Sequence, residues 1–131
     1  MSKKLNKKQI ERFSRQIILK NIGILGQNKI TNSKVLIIGM GGLGCPVAEF
    51  LTRSGIGSLG IVDHDRISLS NIHRQSLFDE NDLNQPKVKI AKKKLKKVNS
   101  STKIKKNHAL DVFIKRKKYL MKYSIVNMRE S

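Results

Sequence analysis

One stretch, residues 34–63, decides what this chain can fold into. Lys34-Val-Leu-Ile-Ile38 is apolar and β-branched after its lysine. A short run of that kind is a strand buried on both faces, as in a parallel sheet. Gly39-Met-Gly-Gly-Leu-Gly44 follows without a spacer, and Cys45-Pro-Val-Ala-Glu-Phe-Leu-Thr-Arg53 then has helical spacing. Pro46 falls in the first turn of that helix, where its missing N–H costs nothing. Ser54-Gly-Ile-Gly57 ends the helix, Ser58-Leu-Gly-Ile-Val62 is a second strand, and Asp63 closes it. Strand, glycine turn, helix, strand and acid within about 30 residues make the first half of a Rossmann-like, doubly wound, mostly parallel α/β sheet.

The glycines have separate tasks in such a turn. Gly39 allows the tight turn off the strand, Gly41 lets the backbone approach a phosphate, and Gly44 permits close packing of helix on strand. The helix behind them offers unpaired N–H groups and a positive dipole end to an anion. Plain turn glycines are the alternative, and the buried strand before them and the acid after them weigh against it. Asp63 can accept hydrogen bonds from ribose hydroxyls, or it can simply cap a loop. Asp65 is suited to orienting the loop or a nearby base.

The flanks are read more coarsely. Residues 1–8 are polar, basic and expected to fray. Lys8–Lys20 predicts an N-terminal helix with Ile10, Phe13 and Ile17 on one face. Gly23 and Gly26 break it, and a short amphipathic piece follows over Gly26–Asn32. Asp65–Asn84 predicts a long polar loop with one helical turn. Pro86 starts a helix in which Val88, Ala91, Leu95 and Val98 face the sheet and the lysines between them face outward. A third strand near an edge lies within Thr102–Ala109, a basic helix over Asp111–Lys122, and a fourth short strand at Ser124–Asn127. Residues 9–131 thus form one domain of about four strands.

Charge narrows the partners less than it suggests. The chain has 28 Lys+Arg against 9 Asp+Glu, a formal charge of +19. That invites a nucleic-acid reading. The basic residues are mostly lysine, spread along the chain apart from runs at Lys92–Lys97 and Lys115–Lys118, and aromatic residues that would stack on bases make up only 5%. The expectation is a solvated basic surface, weakly attracted to polyanions, with no specific nucleic-acid partner. The single Cys45 excludes an internal disulfide and reads as a small packing residue. No stretch approaches the roughly 20 apolar residues of a membrane span, so no membrane partner is expected. The N-terminus MSKKLNKKQI lacks the apolar core of a signal peptide. The expected location is the cytoplasm or an organelle stroma. His64, His73 and His108 show no ligand spacing and there is no CxxC pair, so no zinc is expected.

After the acid comes a polar set. Ser70-Asn-Ile-His-Arg-Gln75 groups a hydroxyl, an amide and a guanidinium, and Gln85-Pro-Lys87 puts a lysine at a helix start. Two separated cations suit a nucleoside triphosphate, since phosphoryl and nucleotidyl transfer is catalysed mainly by positioning and electrostatic stabilisation. Two ordinary surface bases are the alternative in so basic a chain.

Five motifs occur in order: Arg12-Phe-Ser-Arg-Gln-Ile17, Gly39-x-Gly-Gly-Leu-Gly44, Gly60-Ile-Val-Asp-x-Asp65, Leu69-Ser-Asn-x-x-Arg-Gln75 and Gln85-Pro-Lys87. Together they resemble the ThiF/MoeB/HesA family, relatives of ubiquitin-activating enzymes, over residues 9–127. The resemblance implies an ATP-dependent adenylyltransferase acting on the C-terminal glycine of a ubiquitin-like sulfur-carrier protein ending in Gly-Gly, of the thiamine or molybdopterin type. It implies Gly39, Gly41, Gly42 and Gly44 at the phosphates, Asp63 at the ribose, and Asp65 among the residues of the nucleotide site. Ser70, Asn71, Ile72, His73 and Arg74 would line the ATP site, with Arg74 on the phosphates and Lys87 at the α-phosphate. Arg15 would reach across a homodimer or heterodimer interface into the partner's site. ATP and Mg²⁺ are the implied cofactors.

Members of that family continue after the fourth strand into a Thr-Asp-Asn segment whose Asp helps hold Mg²⁺. Here Ser131 falls at that position and Glu130 is the nearest acid. The expectation is a truncated N-terminal part of the family's domain, with an incomplete Mg²⁺ site and loss of activity as the consequence. Two alternatives stay open. One is a non-catalytic subunit or relic of such an activating enzyme. The other is an NAD-dependent oxidoreductase domain, which the glycine turn and Asp63 suit but Arg74 and Lys87 do not.

Overall fold

The computed structural model of the chain describes residues 3–107 and the backbone strand Ser124–Asn127. In chain order the elements are α1 (Lys7–Arg12), α2 (Ser14–Ile17), α3 (Gly23–Thr31), β1 (Lys34–Ile38), α4 (Gly44–Ser54), β2 (Ser58–Val62), α5 (Lys87–Val98), β3 (Lys103–Asn107) and β4 (Ser124–Asn127), with 3₁₀ turns at Leu69–Asn71 and Glu80–Asp82. The predicted helix over Asp111–Lys122, its Val112, Phe113 and Leu120, and also His108, Glu130 and Ser131, lie outside the described residues.

All strand pairs are parallel, and the order is β3-β2-β1-β4. The chain steps outward from β1 to β3, then returns to the far side of β1. That reversal leaves a crevice beyond the carboxyl ends of β1 and β4, where open α/β sheets take ligands. The fold is the Rossmann-like α/β sheet that the sequence predicts, with β1 and β2 at the predicted residues and β3 on an edge.

Alternation sets the core. Val35 and Ile37 of β1, Leu59 and Ile61 of β2 and Ile104 of β3 share one face and pack with Cys45 and Ala48 of α4 and Val88, Ala91 and Leu95 of α5. Leu36 and Val62, pointing to the opposite face, are also fully buried. Helix α4 stops because Gly55 adopts φ 98°; its N–H donates to Thr52 O and the Ile56 N–H to Leu51 O. This is the paired carbonyl cap that only glycine makes without strain. A Cβ on Gly55 would meet Phe13 Cζ at 2.5 Å.

That contact explains the first departure from expectation. The N-terminal helix is not continuous over 8–20. It divides into α1 and α2 at Phe13, whose side chain is buried against Gly55. Residue 6 caps α1, with Asn6 Oδ1 accepting from the Gln9 amide at 2.9 Å. Lys3 pairs through its backbone with the Asn32 side chain. The piece expected from Gly26 begins three residues earlier, at Gly23. Ser54 O gathers α2 and α3 onto the end of α4, accepting from Gln16 Nε2 and from the fully buried Gln27. The 65–84 segment has two 3₁₀ turns rather than one. In α5, Ile90 joins the buried face while Val98 is half-buried. Two of the lysines expected to face outward are engaged: Lys94 pairs with Asp79 and Asp82, and Lys96 donates to Ser100 O and Thr102 O.

Candidate functional site

The glycine turn is built as its residue types require. Gly39 has φ 101°, a left-handed conformation that side chains resist. A Cβ on Gly44 would stand 1.9 Å from Gly39 O, so the turn folds on its own backbone as well as on β1. Gly41 is open: its nearest outside neighbour is Gln75 Nε2, at 3.7 Å from a built Cβ. Gly42 is half-buried in the same turn. Among the described residues no side chain caps α4. The Cys45 amide donates to Gly41 O and Pro46 has no N–H, so what the helix start offers a ligand or water is chiefly its positive end.

The acid at the end of β2 holds that turn. Asp63 Oδ2 accepts from the Met40 amide at 2.7 Å and Oδ1 from the Asp65 amide at 2.8 Å. Each carboxylate oxygen keeps a further lone pair, enough for ribose hydroxyls. Lys87 enters from the start of α5. Its amide donates to Asp65 O, its ammonium is 3.9 Å from Asp65 Oδ2, and it is 5% exposed. A cation that is almost wholly buried needs a negative partner, and the exposed Asp65 supplies one carboxylate at 3.9 Å. Cys45 packs between these parts, its thiol donating to Met40 O. Burial pushes that thiol up to about 11, against weaker lowering by the Leu77 backbone and Lys87. Cys45 is therefore a neutral packing group.

The loop residues divide. Asn71 is buried and shapes its own turn, its Oδ1 accepting from the Ser68 amide. Ile72 is half-buried against the core. Ser70 and His73 are exposed, and Ser70 Oγ lies 3.1 Å from Ser68 Oγ. Arg74 is exposed too, its guanidinium donating to Ser70 O at 2.9 Å. The structure thus brings together Gly39, Gly41, Gly44, Asp63, Asp65 and Lys87, and leaves Arg74 folded back on its turn. Gln75, not singled out in the sequence, is buried beside Gly41, and its Oε1 has no hydrogen-bond partner among the described residues. Its place after Arg74 in the motif is the only sequence signal for it.

Arg15 is remote from this group. It is exposed on α2, beside Gln16, which bonds Ser54 O at the C-terminal end of α4. Helix α4 has 11 residues, so about 16 Å separates that end from the glycine turn.

The residues present fit a nucleotide: an uncapped helix start, an open glycine, an orphaned buried amide oxygen, a carboxylate with spare lone pairs and a buried lysine. They do not assemble a Mg²⁺ cage. The one cluster among the described residues with metal-ligand character is Asp63, His64 and Asp65. Its Asp63 oxygens hold backbone amides, and Asp65 faces both His64 and the Lys87 cation. No helix among the described residues is long and apolar enough to cross a membrane.

The sequence profile of the ThiF family matches residues 13–121. The chain belongs to the ThiF family. Among curated relatives of this ThiF-family chain, the adenylyltransferase and sulfurtransferase MOCS3 of Anopheles gambiae is 45% identical over 106 residues, 81% of this chain and 24% of the relative. MOCS3 of Xenopus laevis is 48% identical over 97 residues, 74% of this chain and 22% of the relative. The chain therefore spans about a quarter of the length of these relatives. The crystal structure of PaaA superposes with TM-score 0.83 and 30% identity, covering 97% of this chain and 42% of PaaA. E. coli MccB solved with ATP gives TM-score 0.70 and 34% identity, covering 79% of this chain and 32% of MccB.

Proposed function

We propose that this ThiF-family chain supplies the nucleotide site for ATP-dependent adenylylation of a carboxylate, that of the C-terminal glycine of a ubiquitin-like sulfur carrier. The observation that carries the reading is the buried Lys87 held by Asp65 in the loop after β2, next to the Asp63 that grips the glycine turn. The MOCS3 relatives, named adenylyltransferases, and MccB, solved with ATP, support it.

In this reading a carboxylate oxygen attacks the α-phosphorus of ATP. A new P–O bond forms as the bond to the bridging oxygen breaks, and its electron pair leaves with pyrophosphate. The products are the acyl adenylate and pyrophosphate. The positive end of α4 and Gly41 cradle the phosphates, Asp63 holds the ribose, and Gln75 Oε1 accepts from the nucleotide or a water on it. Lys87 stabilises the charge that builds at the α-phosphorus, and Arg74 swings from Ser70 O onto the outer phosphates. Preorganised charge of this kind is often the largest part of catalysis.

Arg15 acts in a partner's site, because it lies a helix length from its own. Ile18, Leu19, Ile24 and Leu25 are each more than half exposed and give a second subunit an apolar surface to cover. The cytoplasm or an organelle stroma suits a chain whose one Cys stays a buried free thiol.

The test is exchange of labelled pyrophosphate into ATP, driven by a carrier ending in Gly-Gly. If the site is intact as it stands, carrier-dependent exchange is expected, lost about 100-fold in Arg74→Ala; ATP binding without exchange marks the inactive relic. Exchange untouched by that change removes Arg74 from the mechanism, and binding of NADH in preference to ATP overturns the whole reading in favour of an oxidoreductase.

A further inference from the structure

A second hollow opens at the amino ends of the strands, the far end of the sheet from the glycine turn. It encloses about 480 Å³, within the range of small-ligand pockets. Five residues of β1 lie between the two ends, about 13 Å of strand. Six cations line it: Lys3, Lys4, Lys8, Arg12, Lys34 and Lys103. They come from the N-terminal segment, α1 and the first residues of β1 and β3. Among the described residues no acid lines the hollow.

Helix ends account for part of this charge. Helices α3, α4 and α5 all finish here, and each carbonyl end carries about −0.5 of a charge. Arg12 answers one of them directly, donating to Val98 O at 3.0 Å. Three such ends offset about one and a half charges of six, which leaves the hollow clearly positive. The ammonium groups of Lys3, Lys4, Lys8, Lys34 and Lys103 make no hydrogen bond or ion pair among the described residues. Thr31 on the wall has a buried hydroxyl without a hydrogen-bond partner among the described residues. A concave surface of one sign focuses its field and concentrates counter-ions.

We propose that this hollow binds a compact polyanion, a small molecule carrying three or more phosphate groups, at a site separate from the nucleotide crevice. Several phosphates on one small frame match cations converging from three parts of the chain. An extended nucleic-acid strand matches less well, since the one aromatic residue of the lining, Phe13, is 3% exposed and offers no face to a base.

The experiment is an amide NMR titration of the full ¹⁵N-labelled chain with inorganic tripolyphosphate. Amide shifts are expected at Ser33, Gly57, Ser58 and Lys103. Affinity there should fall about tenfold or more in Lys34→Gln/Lys103→Gln, and stay within about twofold in Gly41→Ala, which alters only the nucleotide turn. Both lysines are exposed, so the double variant keeps its fold, as its undisturbed core amides will report. Shifts confined to Gly39–Gly44, or a double variant that binds like the parent, would overturn the proposal. Tighter binding of a single-stranded RNA oligomer at the same amides would also overturn it, in favour of a strand partner. Because the two ends of the sheet are read separately, failure here leaves the ATP reading standing, and the reverse holds.

Discussion

Lys87 and Asp65 are joined twice: the Lys87 amide donates to Asp65 O at 3.1 Å, and the Lys87 ammonium stands 3.9 Å from Asp65 Oδ2. The start of α5 and the loop after β2 are held together by this pair, and the charge of Lys87 is fixed where the crevice opens. Lys87→Met keeps the buried stem and removes only the charge. Carrier-driven pyrophosphate exchange should fall about 100-fold or more, with ATP affinity weakened less than about tenfold. Equal losses in rate and affinity would make Lys87 a ground-state binding group instead.

Gly41 and Gly44 should separate binding from folding. Alanine at Gly41 meets nothing closer than Gln75 Nε2 at 3.7 Å, whereas alanine at Gly44 meets Gly39 O at 1.9 Å. Gly41→Ala should melt within about 2 °C of the parent but lose ATP affinity, because the methyl fills the approach to the phosphate. Gly44→Ala should lose roughly 2–4 kcal/mol of stability, because backbone must move. Calorimetric melting and ATP titration of the two variants check this.

The proposed mechanism draws Arg15 and Arg74 of one site from different subunits. Each of Arg15→Ala and Arg74→Ala should be inactive alone. If the dimer exchanges subunits, an equal mixture should recover about a quarter of parental exchange, since half the dimers are mixed and each has one intact site. A mixture as inactive as its parts would return Arg15 to a surface role.

Lys94 ties the loop before α5 to that helix through Asp79 and Asp82. Burial opposes its charge, but the two carboxylates outweigh that and hold its pKa above the usual lysine value. The Lys94 hydrogen bond, then the Asn81 amide, hold Asp79 below the usual carboxylate value. The lysine contribution is full below about pH 10.5 and is lost as pH rises through its raised value, while the Asp79 contribution is full above about pH 4 and is lost as pH falls through its lowered value. Lys94→Met should therefore lower Tm by about 5 °C between roughly pH 5 and 10, by removing the cation that the two carboxylates share. The gap from the parent should close on either side of that window.

What the sequence made legible is what period and residue type decide locally. Lys34–Ile38 and Ser58–Val62 are short apolar runs bounded by glycine or serine, and α4 starts and stops on glycines, so their ends could be read. The break at Phe13 could not, because its cause is Gly55, about forty residues away in the chain. Lys94 looks like a surface lysine until the Asp79–Asp82 turn folds over it. At the site, the positions of Asp63 at the end of β2 and Lys87 at the start of α5 follow from the local pattern. The burial of Gln75 does not, since a glutamine in a polar loop carries no sign of which way it turns. Arg74 is exposed and bonded to Ser70 O, a contact within its own turn that a polar sequence does not encode.

The central claim is that one nucleoside triphosphate is gripped between the glycine turn and the Asp63–Lys87 side of the crevice. Titration of ATP into the ¹⁵N-labelled chain tests it without altering a residue. At the tightest site, the account predicts amide shifts converging on Gly39–Gly44, Asp63–Asp65, Gln75 and Lys87, with NADH moving none of them at equal concentration. Shifts that leave the glycine turn untouched, or an equal response to NADH, would contradict it.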